Sequence, residues 1–506
     1  MKRSSFPLFV AGVGAGFLLL EHVRWGEPLG LDQGLFACFG RWVPRGWLPY
    51  RDIWDSKPPG VFYTYTLAFR TLGEGTGAIW TLEALWIGAT ALVLFLSGRR
   101  VWGRWEGLAS ASLFVFFLNS PAWGGFWVRA QAEVFLCLPV ALGSYFALKG
   151  RSFLAGTFTG IASLYKVPAS LIALGWPVLW LGNEGLPRKL ALMSLGVALP
   201  WTVVSVYFWA EGSLDDLVEA IWTYGRQYAY VAGQGHSFAE TVRKGVVGLI
   251  LGSPVVALFG AVGIASSGGR IRWLGPWLFL SFLGVVVQRQ LAGYHFLLAA
   301  PPLALASGKG FVRTVRWTVS APGVRKLMPA LFLVACTVLL WAEGRRWRAA
   351  YGPDWEYRVG KLSRETYLEV FDIGPFSPSE QERIAGYIRR RTSEGDAILV
   401  WGLSPGIYFL SKRKPATKYP FHHLLLTESP LSLRLSGLKR RREEFLEGLE
   451  AEPPAYILVG VMDPNGFEPL DSYAQMLRFP RFHRFVSEGY RYETRIGHFL
   501  LFRRVR

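Results

Sequence analysis

Cysteine is nearly missing from this chain: three residues in 506, Cys38, Cys137 and Cys336. Their separation excludes a disulfide framework and offers no metal-ligand spacing. Cys137 and Cys336 fall inside apolar runs and read as packing residues. Charge is also scarce, at 18% of residues against about 25% in soluble domains. There is no Walker motif, no GxGxxG following a strand, no HExxH and no GxSxG in a suitable setting, which speaks against nucleotide hydrolysis and serine-hydrolase chemistry. No internal repeat and no low-complexity linker is evident.

What is abundant is apolar and aromatic surface. Hydrophobic residues make up 51% and aromatic residues 15%, with 22 tryptophans. That balance defines a polytopic membrane protein. The net charge of +19 would fit a nucleic-acid partner if it formed one patch. Instead the basic residues sit in short clusters between apolar runs, as in the cytoplasmic loops of membrane proteins, so no nucleic acid is expected.

Phe6 to Leu20 reads as a first, uncleaved span behind a basic start, Met1-Lys2-Arg3, which places the N-terminus in the cytoplasm. Further apolar segments fall near 61–72, 76–97, 107–119, 130–148, 153–165, 168–182, 190–210, 245–266, 273–287, 291–307 and 327–342. Several are shorter than the ~20 residues of a full span. The basic clusters at Arg99/Arg100/Arg104, Lys149/Arg151, Arg188/Lys189, Arg270/Arg272 and Lys309 through Lys326 fit cytoplasmic loops. With 61–72 counted as loop, the total is about eleven spans.

The reading is therefore a membrane part over 1–342, with a first extracytoplasmic loop at 21–60, and an extracytoplasmic domain over 343–506. In that last part the apolar runs shrink to strand length, at 397–403, 455–461 and 498–504, with helical patterns between them. Helix 377–396 has Ser379 as its expected N-cap. Alternation of strand and helix predicts a small α/β domain.

Charge concentrates in LDQGLFACFGRWVPRGWLPYRDIWDSKPPG, residues 31–60. Charges beside a span are costly unless they face water or do chemistry. Leu35, Phe36 and Phe39 lie at helical spacing, and with Trp42 and Trp47 predict an amphipathic helix at the membrane interface. Asp32 at its start is either an N-cap or a catalytic base. Arg51 and Lys57 suit a phosphate group, and Pro58-Pro59-Gly60 stiffens the backbone that directs Lys57. Asp52 and Asp55 either hold those cations or ligate a divalent metal, and both readings stay open.

Arg129 and Glu133, four apart in RAQAE, would share a helix face. Lys166 interrupts two apolar runs. Gln288, Arg289, Gln290 and His295 mark an outer span end, with Arg289 a second candidate for a lipid-linked phosphate. These residues predict a polar cavity on the side of the opening loop. Each also has a plainer role: Glu133 and Lys166 can snorkel, and His295 can be an interfacial histidine.

At Asp32 and PYRDIWDSKPPG the chain resembles the GT-C glycosyltransferases, in particular bacterial proteins similar to protein O-mannosyltransferases and lipid A aminoarabinose transferases. RAQAE, YKVP, GYHFLLAAPPLAL and WGLSPGIYFLSKRKPATKY support the resemblance. It implies inverting transfer of a sugar from a polyprenyl-phosphate donor, on the outer face, to a glycan, lipid or protein acceptor. It also implies that Asp32 is the base and that cations at Lys57, Arg51 and Arg289 meet the donor phosphate. Two departures stand out. Gln33 follows Asp32 where many relatives carry glutamate, and Ser56 precedes Lys57 where aminoarabinose transferases carry an acid. A transporter or flippase of lipid-linked precursors is the alternative, although it would more often show inverted repeats and broken mid-membrane helices. A third reading, a structural or adaptor protein, has no need of Asp32 and Lys57.

Overall fold

A computed structural model describes residues 6–182, 184–232, 237–320, 322, 327–426, 437–464 and 469–505. Two anchors of the topology reading, Met1–Arg3 and Lys326, lie outside them. The apolar runs are helices, because a backbone surrounded by lipid must satisfy its hydrogen bonds within one segment.

Along the chain these are α1 (Phe6–Val23), α2 (Leu31–Trp42), α3 (Gly60–Leu72), α4 (Thr76–Val101) and α5 (Arg104–Leu118). Then come α6 (Ala132–Leu148), α7 (Ser152–Ser163), α8 (Leu186–Ala210), the short α9 (Leu214–Val218) and α10 (Gly225–Ala232). They are followed by α11 (Phe238–Gly252), α12 (Pro254–Ala265), α13 (Ile271–Val286), α14 (Ala300–Ser320) and α15 (Leu327–Arg358). Among the described residues, four helical segments are long and apolar enough to cross a membrane: Phe6–Gly26, Thr76–Val101, Leu186–Ala210 and Leu327–Arg358. The segment expected as one span at 245–266 is two helices, α11 and α12, bent by 107°. Ser253 and Pro254 stand at that break, where proline cannot continue the hydrogen-bond ladder. Most of the other expected segments are shorter helices, which by length alone do not each make a span; α14 has 21 residues but is not apolar enough to be counted with the four.

The chain divides into two compact units that do not follow the sequence boundary at 342/343. One comprises 1–26, 80–207 and 232–359; the other comprises 27–79, 208–231 and 360–506. Helix α15 runs unbroken past residue 342 to Arg358.

In the second unit a five-stranded sheet is built from β1 (Ala397–Trp401), β2 (Lys414–Pro415), β3 (Tyr456–Gly460), β4 (Tyr490–Ile496) and β5 (Phe499–Arg504), in the order β2-β1-β3-β5-β4. β1 pairs in parallel with β2 and β3, while β5 runs antiparallel to β3 and β4. The expected strands are β1, β3 and β5. The edge strands β2 and β4 escaped a reading based on apolar runs, β2 because it is two residues long and β4 because YRYETRI is mostly polar. The helix at 377–396 is shorter, Pro378–Arg389, and its N-cap is Ser377, not Ser379. Ser377 accepts from the Glu380 amide, and Pro378 fills the first helical position, where no amide hydrogen is needed.

Helix α2 is not an interfacial helix with one wet face. Gln33 through Trp42 are all buried. Phe39 stacks on Phe62 of α3 at 3.9 Å, and Phe36 meets Tyr65 edge-on at 5.6 Å. Burying each of these aromatic side chains contributes roughly 1.5–3 kcal/mol. On another side, Gly34 abuts Gly406 of the SPG turn after β1: a methyl built on Gly34 would lie 2.7 Å from Gly406 Cα. Backbone cannot yield there as a flexible side chain would. Gly34→Ala should therefore cost about 1–3 kcal/mol, read as a lowered melting midpoint in detergent. An unchanged midpoint would contradict this packing. Buried Arg41 closes the arrangement through ion pairs to Glu74 and Glu394.

Candidate active site

The N-cap of α2 is Gly30, in extended conformation and with no side-chain cap. Asp32 is thus one residue inside the helix, and the capping role considered for it is not what it does. It is held in the first turn, where the helix dipole favours a carboxylate. Its Oδ1 accepts from Lys57 Nζ at 3.1 Å. Phe36, one turn on and so on the same face, puts its ring 5.1 Å from that ammonium. A second carboxylate, Asp55, lies 3.7 Å from Lys57 Nζ. The ammonium stands between two acids, over an aromatic face.

The loop is built to aim Lys57. Tyr50, fully buried and at φ +72°, donates its hydroxyl to the Lys57 carbonyl at 2.8 Å. That backbone region strains a non-glycine residue and persists only where packing holds it. Pro59 is the N-cap of α3, so Lys57 is two residues from the cap of a rigid helix. Asp55 is buried, and its Oδ1 accepts from the Ser56 amide at 2.6 Å. Burial pushes its carboxyl above the usual carboxylate range, and Lys57 opposes that shift.

Of the candidates in this loop, the structure gathers Asp32, Asp55 and Lys57. Arg51 and Asp52 form a separate exposed pair at 2.9 Å, with Asp52 also accepting from the Leu48 amide at 2.7 Å. Tyr50 was missed by sequence reading, because a tyrosine between proline and arginine carries no signal until the turn is seen.

In the first unit, Glu133, Lys166 and His295 lie together. Lys166 Nζ is 2.7 Å from Glu133 Oε1 and 3.4 Å from His295 Nε2. Arg129 does not join them. Helix α6 starts only at Ala132, and Ala130 has φ +47°, so Arg129 and Glu133 share no helix face. Arg129 is instead buried between Glu21 and Glu83, at 2.9 Å from each. Arg289 lies with its guanidinium 6.0 Å from the Phe238 ring.

The donor set around Lys57 fits a divalent cation poorly. Its two carboxylates, Asp32 and Asp55, already face an ammonium, and among the described residues no three metal-ligating side chains converge. The Ser472–His422–Asp463 group in the sheet domain, whose serine and histidine are buried, is no hydrolytic triad either. The hydroxyl stands between the other two, 2.9 Å from His422 Nε2 and 2.6 Å from Asp463 Oδ2. Burial pushes His422 down to about 4, so it stays neutral at ordinary pH.

Long apolar helices and a small mixed sheet give the chain a fold that is similar to those of solved membrane-protein structures. Among solved structures, the chain is similar to ArnT from Cupriavidus metallidurans bound to undecaprenyl phosphate. The TM-score is 0.61 at 14% identity, covering 100% of this chain and 99% of that one. The apo form of the same protein gives 0.59 at 14% identity, with 98% of each chain covered. The archaeal oligosaccharyltransferase AglB from Archaeoglobus fulgidus, in complex with an inhibitory peptide and a dolichol-phosphate, gives 0.50 at 11% identity, over 97% of this chain and 74% of that one. No family model matches the chain, and no curated protein matches it.

Proposed function

We propose that the chain is an integral-membrane glycosyltransferase. It moves a hexosyl or pentosyl group from a polyprenyl-phosphate donor to an acceptor hydroxyl or amine on the extracytoplasmic face. The shorter apolar helices add spans toward the total of about eleven expected from the basic loops. The N-terminus is then cytoplasmic, and the charged loop and sheet domain lie outside.

The observation that carries this reading is the Asp32–Lys57 pair at 3.1 Å, on a loop braced by Tyr50 and two prolines. In the step proposed, Asp32 accepts the acceptor's proton as its oxygen or nitrogen attacks the anomeric carbon. The bond from that carbon to the phosphate oxygen breaks on the opposite side, so configuration inverts. The leaving polyprenyl phosphate carries the electron pair, and Lys57 stabilises the charge developing on it. Phosphate arrival releases Asp32 from the ion pair, while Asp55 keeps the ammonium in place. No part of this step is routed through a metal. It is derived from the second unit; Arg289, Lys166, Glu133 and His295 belong to the first.

Purified protein incubated with radiolabelled undecaprenyl-phosphate sugars should release undecaprenyl phosphate in proportion to the sugar transferred. Passage of an intact lipid-linked sugar across proteoliposomes, without its consumption, would instead establish the transporter reading.

A further inference from the structure

The second unit holds a cleft of about 320 Å³ whose lining includes Trp54, the residue preceding Asp55. Its volume is at the low end of the ~300–1,000 Å³ of small-ligand sites. That is the scale of a small organic ligand, not of a folded partner. Trp54 and Tyr224 meet edge-on at 4.9 Å and form one wall with Tyr419 nearby. The Trp54 amide donates to the Lys418 carbonyl at 2.7 Å, so the loop that carries Lys57 is tied directly to the cleft.

Three cations line the cleft, Lys418, Arg440 and Arg441, together with the acids Asp216 and Glu219. Arg441 gives its Nε to the Leu424 carbonyl at 3.1 Å, and Asp216 accepts from the Ser213 hydroxyl at 2.6 Å. Lys418 pairs with Glu444 at 2.8 Å, and Arg440 pairs with the same Glu444 at 2.9 Å and also with Glu219. The Tyr419 hydroxyl donates to Glu444 at 2.7 Å. Cations engaged in this way do not make a phosphate site, which calls for converging positive charge. Gln227 and Thr223 add an amide and a hydroxyl to the same lining. Ring faces combined with a balanced set of donors and acceptors fit a neutral, polyhydroxylated ligand: the C–H faces of a sugar lie on the rings and its hydroxyls reach the polar groups.

We propose that this cleft is the acceptor subsite and that the acceptor is a saccharide. The inference rests on the glycosyltransferase reading above and narrows it, since a hydroxyl presented from the cleft would enter beside the loop of Asp55 and Lys57.

The test uses full-length protein in detergent, titrated with neutral trisaccharides of gluco, manno and galacto configuration. A serine/threonine peptide, inorganic phosphate and undecaprenyl phosphate are titrated in parallel. At least one trisaccharide should bind saturably. Trp54→Ala and Gln227→Ala should each weaken that binding by about tenfold, the size of a lost ring or polar contact. Undecaprenyl phosphate binding should not change in either variant. If Trp54→Ala fails to fold, the half-buried Gln227→Ala decides alone. Binding of peptide or phosphate in place of saccharide overturns the proposal, as does saccharide binding indifferent to the variants. So does the absence of any saccharide binding while undecaprenyl phosphate binds. Saccharide binding without undecaprenyl phosphate binding would support the subsite and overturn the donor reading instead.

Discussion

Asp32→Asn should lower sugar transfer by about 10²–10⁴-fold, the contribution expected of a positioned general base. Asparagine has the shape of aspartate and can still accept a hydrogen bond from Lys57, so the helix start and the loop should hold. The change removes the charge and the ability to take a proton. At N2 of α2 it also forfeits a dipole interaction of roughly 0.3–1 kcal/mol, too little to unfold the protein. The expected signature is therefore a loss in kcat, with near-normal melting and near-normal undecaprenyl phosphate binding. Transfer within tenfold of wild type would remove Asp32 from the mechanism. A matched loss of melting temperature and activity would reduce it to a structural partner of Lys57.

Lys57→Ala should cost about 10²–10³-fold in transfer, as for other groups that stabilise a charge appearing in the transition state. Here binding should fall as well as turnover, because the ammonium meets the phosphate both before and after the bond breaks. The structural alternative is that Lys57 only neutralises Asp32 and Asp55, which it approaches at 3.1 and 3.7 Å. That role would lower stability and leave undecaprenyl phosphate affinity unchanged, so measuring both separates the two. Lys57→Arg should recover only part of the activity, since a planar guanidinium does not replace a compact ammonium over the Phe36 ring. The double variant Asp32→Asn/Lys57→Ala should lose far less than the product of the single losses if the two residues act in one step.

The long apolar helices, the small sheet and the concentration of charge in residues 31–60 were legible because they depend on local pattern. An apolar run must become a helix in lipid, and alternating strand-length and helix-length runs must layer into a sheet domain. The α2 reading went astray for a related reason. Leu35, Phe36 and Phe39 mark an apolar face, but nothing in the sequence says what covers it. The presence of Gly34 beside Gly406 shows that the opposite side is covered too. Arg129 was misassigned on spacing alone. Four residues put two side chains on one face only if both are helical, and α6 begins three residues after Arg129.

By itself the sequence marked the candidate residues, Asp32 and Lys57 among them, because only a few charges survive next to so much apolar surface. It also determined which backbone would direct them, through Pro58-Pro59-Gly60. Tertiary structure alone decided which of those charges meet. It joined Lys57 to Asp32 across 25 positions of chain, set Asp55 behind them, and brought Trp54 against Tyr224. The physical reason is range. Helical periodicity and capping act over a few residues, whereas an ion pair or a ring contact forms wherever packing brings two side chains together.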